Sequence, residues 1–303
     1  MTGCGLKKNE APVANAYPLY AGSTSSSAGT LFASSLCVAD NFDYGTDKAD
    51  SQLAAGAGVF NLDTKEVLYS QNLFGKLYPA STTKILTAYI IIRECSLEDT
   101  VTVSETALKD LEGSSVCGIS AGDVLTVRDL LYGLMLVSGN DAANVLAEHH
   151  SGSVEEFVKV MNKEAARLGA TASHFANANG LPDEDHYTTV YDMYLIFQEA
   201  IKLEEFTNLI GTGTIDVTFH NASGSEVTKT WTNTCRYTGG DQKAPEGITV
   251  VGGKTGTTNA AGYCLVLYSQ NTKGDKIVSI VFKADGRDSL YTLMDQILSR
   301  FAN

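Results

Sequence analysis

Pro79-Ala80-Ser81-Thr82-Thr83-Lys84 runs directly into Ile85-Leu86-Thr87-Ala88-Tyr89-Ile90-Ile91-Ile92. Pro79 stops a helix from extending backwards, and Ser81 to Thr83 are good helix-opening residues. The apolar run behind them predicts a core helix buried on most of its circumference, with Ser81 in its first turn. Lys84 lies three residues on, on the same face and within hydrogen-bonding reach. A serine hydroxyl is a poor nucleophile until a base takes its proton. A partly desolvated lysine held beside it is neutral often enough to do so. The helix N-terminus also favours negative charge developing next to it.

A lone S-x-x-K arises by chance roughly once in a chain of this length. Here it is followed, at long intervals, by one Ser138-Gly139-Asn140 and one Lys254-Thr255-Gly256. Three such elements in this order are a set used by penicillin-binding proteins and class A β-lactamases. The 303 residues, 44% hydrophobic and 19% charged, make one large globular domain or two intimate ones. A net charge of -13 argues against nucleic acid as a partner and against direct electrostatic binding to an anionic membrane. No stretch approaches the ~18 apolar residues of a transmembrane helix. Cys4, Cys37, Cys95, Cys117, Cys235 and Cys264 are scattered without C-x-x-C; all but Cys4 read as buried free thiols, with a disulfide as the alternative.

Along the chain, Met1-Thr2-Gly3-Cys4-Gly5 resembles the end of a bacterial lipoprotein signal, whose cysteine becomes the lipidated N-terminus. Residues 9 to 30 read as a flexible tether. The stretch 31–50 either docks as an extra strand or stays loose. Leu53 to Phe60 and Val67 to Ser70 predict an opening hairpin. Helices are predicted over Ser104 to Leu111, Leu125 to Val137, Asn140 to Glu148, Val154 to Leu168, Thr189 to Leu203 and Ser289 to Phe301. Strands are predicted over Thr214 to Phe219, Glu226 to Trp231, Ile248 to Thr257, Gly262 to Ser269 and Lys276 to Ala284. The resulting class is α+β: one antiparallel sheet built from both ends, covered by helices, with an inserted all-helical subdomain. The divisions are a tail and tether over 1–50 and a catalytic domain over 51–303. Within the latter, a sheet subdomain takes 51–79 and 211–303, and a helical subdomain takes 80–210.

The three motifs, together with Asn179-Gly180-Leu181-Pro182 and His186-Tyr187-Thr188-Thr189-Val190-Tyr191-Asp192-Met193, resemble the D-alanyl-D-alanine carboxypeptidases. These are low-molecular-mass penicillin-binding proteins, and the likeness covers about residues 50–303. It implies a β-lactamase/transpeptidase-like fold and a peptidoglycan stem peptide ending in D-Ala-D-Ala as substrate. β-Lactam antibiotics would be covalent inhibitors. Ser81 would be the nucleophile, Lys84 its base, and Ser138 a proton relay to the departing amine. Asn140 would hold Lys84 and the substrate amide. Lys254, Thr255 and Arg287 would meet the terminal carboxylate. The Ser81 and Thr257 amides would form the oxyanion hole, with Gly256 keeping the strand free of bulk.

A β-lactamase or a non-catalytic β-lactam sensor are the alternatives. The E-x-x-L-N of class A β-lactamases is absent between Asn140 and Lys254, and no signalling segment adjoins. No cofactor or metal is implied; Asp183-Glu184-Asp185-His186 reads as a solvated turn, and Trp231 as packing. The family often carries a further β domain and a C-terminal membrane helix. A lipid on Cys4 would anchor this chain instead, on the extracytoplasmic face of a bacterial cell.

Overall fold

Strands β1 (Ala54–Asn61) and β2 (Glu66–Gln71) form the predicted opening hairpin, turning through Lys65 at φ +63°. The computed structural model describes residues 33–303; Cys4 and the tether over 9–30 lie outside them. A single 3-10 turn, Ala80–Thr83, leads into α1 (Lys84–Glu94). Two short strands follow, β3 (Thr100–Thr102) and β4 (Val124–Thr126). Then come α2 (Val127–Met135), α3 (Asn140–Ser151), α4 (Val154–Arg167), α5 (Val190–Ala200) and α6 (Glu204–Gly211).

Local chemistry sets these boundaries. Thr126 and Asp129 form a reciprocal capping box at α2, and the Ser153 and Thr189 side chains accept from the third backbone amide of α4 and α5. The chain continues through β5 (Thr214–His220), β6 (Glu226–Thr232) and the one-turn α7 (Arg236–Gly239). It ends with β7 (Thr249–Thr258), β8 (Gly262–Gln270), β9 (Lys276–Ala284) and α8 (Arg287–Ile297), prolonged by a π turn over Leu298–Ala302.

The main sheet is antiparallel, in the order β2-β1-β9-β8-β7, so both ends of the chain build it. Successive residues feed opposite cores. Val59, Leu265, Leu267 and Val281 belong to the core under α8, whereas Phe60, Val266, Ile280 and Phe282 belong to the core shared with α5 and the other helices. Coverage on both faces explains why β8 and β9 are almost continuously apolar.

The expectation of one sheet is corrected. β5 and β6 belong to a second sheet, in the order β3-β4-β5-β6. Val217, Phe219 and Trp231 are buried while their strand neighbours are exposed, the alternation of a sheet with one solvated face. The stretch from 80 to 210 therefore contributes two strands as well as helices. Ser104 to Leu111 is not a helix. Ala107 and Leu111 are buried at helical spacing, but Ser104 Oγ accepts the Ala107 amide and donates to Glu148, and Asp110 turns to φ +57°. Local side-chain bonds win over a segment too short to propagate.

Residues 35–50 dock without forming a named strand. The Cys37 amide donates to the Tyr194 hydroxyl at 2.8 Å, the Tyr191 hydroxyl donates to the Cys37 carbonyl at 2.8 Å, and Tyr44 bridges Ser70. Cys37, Cys95, Cys117, Cys235 and Cys264 are free thiols.

Candidate active site

Ser81 sits in the 3-10 turn that precedes α1, one step ahead of the predicted first α turn. With three residues per turn this geometry eclipses positions i and i+3, so Lys84 stands directly beside Ser81. The turn is pinned on every side. Ala80 adopts φ +47°, and a Cβ at Gly180 would lie 1.9 Å from its carbonyl oxygen, so only glycine lets that loop close against it. Thr82 Oγ1 donates to the Pro79 carbonyl at 2.8 Å, and Thr87 Oγ1 to the Ala178 carbonyl at 2.7 Å.

Lys84 is fully buried and has three polar neighbours. Its Nζ lies 2.6 Å from Asn140 Oδ1, 2.6 Å from the Asn179 carbonyl and 3.1 Å from Ser81 Oγ. Burial foremost, then the Lys254 cation, push its pKa well below the ordinary lysine value, against a smaller opposing pull from Asp141. A neutral amine has two N–H groups and one lone pair. Two of the neighbours are obligate acceptors, Asn140 Oδ1 and a carbonyl, and they take the two N–H groups. The lone pair is left facing the serine hydroxyl, which can donate to it.

Ser138 precedes α3 at φ +62°, a left-handed conformation that serine adopts only when its surroundings impose it. The residue is buried, and among the described residues its Oγ has no hydrogen-bond partner. It lines a cavity of about 140 Å³ together with Ser81, Thr255, Gly256, Thr257 and Arg287. The sequence motifs thus converge on one cavity, with Lys84 and Asn140 behind Ser81.

The opposite wall is β7, the edge strand of the main sheet. A Cβ at Gly256 would lie 2.9 Å from the Ser81 amide nitrogen and 3.0 Å from that of Thr82. Glycine therefore lets β7 pack directly against the backbone of the nucleophile's turn. Lys254 is placed differently from the other motif residues. It is fully buried and does not line the cavity; its Nζ donates to the Thr255 carbonyl at 3.0 Å, and burial lowers its pKa to about 7. Its charge lies under the β7 wall. The exposed Arg287 opens α8 at the rim, while its neighbour Asp288 pairs with Arg236 at 2.9 Å.

Sequence reasoning missed several lining residues: Ser115, Thr234, Tyr263, Cys264, Leu290 and Tyr291. Thr234 had a signal. It continues the alternate exposed threonines 228, 230 and 232 of β6, and its Oγ1 lies 2.6 Å from Thr255 Oγ1. Ser115 had none, because a loop brings it there. His186 corrects the solvated-turn reading: it is buried, accepts the Ala176 amide on Nδ1 at 3.1 Å and so donates from Nε2 to Thr83 Oγ1 at 2.7 Å. Among the described residues no cluster of three His, Cys, Asp or Glu side chains is placed to hold a metal ion.

The family model for D-alanyl-D-alanine carboxypeptidase, Peptidase_S11, matches residues 45–286. The chain belongs to this carboxypeptidase family. Among carboxypeptidase relatives, D-alanyl-D-alanine carboxypeptidase DacF of Bacillus subtilis is 37% identical over 242 residues, covering 76% of this chain and 57% of the relative. DacC of Escherichia coli is 34% identical over 229 residues, 72% of this chain and 54% of that protein. The chain thus spans a little over half the length of these two carboxypeptidases. The crystal structure of the Streptomyces K15 DD-transpeptidase matches with a TM-score of 0.73 at 28% identity, over 80% of this chain and 96% of that one. The α+β fold is that of these DD-peptidases.

Proposed function

We propose that the chain is a serine D-alanyl-D-alanine carboxypeptidase that removes the terminal D-alanine from peptidoglycan stem peptides through an acyl-enzyme on Ser81. The observation that carries this reading is the Lys84 environment, in which two acceptors at 2.6 Å orient the amine toward Ser81 Oγ at 3.1 Å. Lys84 takes the serine proton as Oγ attacks the carbonyl of the penultimate residue. The oxyanion forms against the Ser81 and Thr257 amides, fixed donors that need no rearrangement. Ser138, strained and unpartnered, passes a proton to the departing D-alanine amine. Water then reverses the sequence to free the shortened peptide.

Thr255, Thr234 and Arg287 face the terminal carboxylate, with the buried Lys254 supplying positive charge beneath Thr255. A β-lactam enters the same route as a covalent inhibitor. No carboxylate is among the residues lining the cavity, so no acidic base stands ready to hydrolyse a penicillin adduct, and that adduct persists. This favours the peptidase over a β-lactamase. The cell wall is the site of action, on the extracytoplasmic face, with a lipid on Cys4 as the membrane anchor and residues 9–30 as the tether. The lipoprotein-like sequence around Cys4 supports the anchor; the mass of the protein made from its full gene in a bacterial host tests it.

D-Alanine release from a peptide ending in Lys-D-Ala-D-Ala, by the native chain and by Ser81→Ala, tests the activity. Release by the native chain alone is expected. No release from folded native protein would overturn the reading.

A further inference from the structure

The segment Ser115–Ile119 brings Ser115 to the cavity, yet it belongs to neither sheet and to no helix. Something must hold it. Asp141 is 1% exposed, and its carboxylate reaches out of α3 to accept three amides of this segment: Cys117 and Gly118 at 2.9 Å and Ile119 at 3.3 Å. Its own helix asks less of it, one contact with the Ala142 amide at 2.9 Å. A residue serving only as the acidic first turn of α3 would not need partners 22 to 24 positions away. The junction is reciprocal: the Asn140 amide donates to the Ser115 carbonyl at 2.8 Å. It is also tight, since a Cβ at Gly139 would lie 2.7 Å from Asp141 Oδ1 and 3.0 Å from the Cys117 amide nitrogen.

The turn that matters chemically runs straight into these two attachments. Ser138 is held left-handed with an unpartnered Oγ, and Asn140 Oδ1 holds Lys84. We propose that Asp141 is a positioning residue for acylation: its carboxylate clamps Ser115–Ile119 onto the Ser138–Asn140 turn, which fixes Ser138, Asn140 and the Ser115 wall together. A carboxylate accepting several amides is a strong, geometrically exacting anchor. Displacing such a turn by about 1 Å costs acylation roughly 10²-fold.

Asp141 also acts through its charge. The ionisable groups around Lys84 are Lys254 from β7, Asp141 from α3 and His186 from the loop before α5. Asp141 is the carboxylate among them that supports the Lys84 cation, so neutralising it favours the free amine further.

The charge effect rests on the acylation chemistry proposed above, and the clamp does not, so two measurements are paired on the whole chain: amide hydrogen exchange, and penicillin acylation rate against pH. In Asp141→Asn the 115–119 amides are expected to lose at least about tenfold protection while α1 and β8 keep theirs. Acylation should fall about 10²-fold on its plateau, and its acid limb should move to lower pH. Asp141→Glu, which keeps the charge but lengthens the side chain at a packed junction, should lose the plateau and the local protection with the acid limb unmoved. It carries the test if Asp141→Asn does not fold. Native exchange and rate in either folded variant overturn the proposal, as does protection lost evenly across the domain. A native chain that penicillin does not acylate overturns the functional reading, while exchange still judges the clamp.

Discussion

Gly256→Ala is the sharpest probe of the contact between β7 and the nucleophile's turn. The new methyl carbon would stand 2.9 Å from the Pro79 carbonyl oxygen, 2.9 Å from the Ser81 nitrogen and 3.0 Å from the Thr82 nitrogen. Ordinary contact needs about 3.4 Å or more, so the two backbones must part by about 0.5 Å. All three neighbours are backbone, and the turn is already fixed by Thr82, Thr83 and Thr87, so no flexible side chain can absorb the shift. Overpacking of this size costs about 1–3 kcal/mol of stability.

The rate effect should exceed the stability effect, because the methyl group pushes against the Ser81 amide, one of the two proposed oxyanion donors. Loss of one oxyanion donor costs about 10²–10³-fold in kcat. Gly252→Ala serves as the control. Its Cβ would meet the Ile210 carbonyl oxygen at 2.3 Å, a harsher clash at α6, away from the cavity. Stopped-flow penicillin acylation and thermal melts on both variants separate the outcomes. We expect Gly252→Ala to lose more stability and Gly256→Ala more acylation. Native acylation in Gly256→Ala would refute the placement of the oxyanion against the Ser81 amide.

Lys84→Ala should abolish acylation while the chain still folds; acylation at the native rate would remove Lys84 as the base. Lys254→Ala removes the cation that lowers Lys84, so the acid limb of acylation should move to higher pH while KM for a peptide substrate rises; an unmoved limb would disprove the coupling. Burial lowers the His186 imidazole to about 4 from 6.5. The unfolded chain takes up a proton between about pH 6.5 and 4 that the folded chain refuses. Stability should therefore fall as pH drops through that window, by at most about 1.4 kcal/mol per pH unit from this group. Denaturant melts of native protein and His186→Gln across the window should show a shallower fall in the variant; parallel curves would remove His186 as the source.

The amino-acid sequence by itself determined what depends on near neighbours. Pro79, the polar turn and the apolar run specified a buried helix with Ser81 and Lys84 on one face, since i to i+3 geometry is local. Period-two patterns and turn residues located β1, β2 and β5 to β9 within a residue or two, and short motifs named most of the residues around Ser81. What only the tertiary structure decided depends on distant segments meeting. β3 and β4 are three residues each and take their character from pairing with each other and with β5, not from their own composition.

The same holds for the site. Burial and the distant Lys254 push Lys84 toward the free amine, and Asn140 and Asn179, residues 56 and 95 positions away, aim it at Ser81. Lys254 went beneath the wall because β7 turns that side chain inward. Ser115 and Asp141 carry no motif chemistry, and their roles exist only where a loop crosses α3. Desolvation and long-range contact geometry are properties of the packed molecule, which a pattern of adjacent residues does not encode.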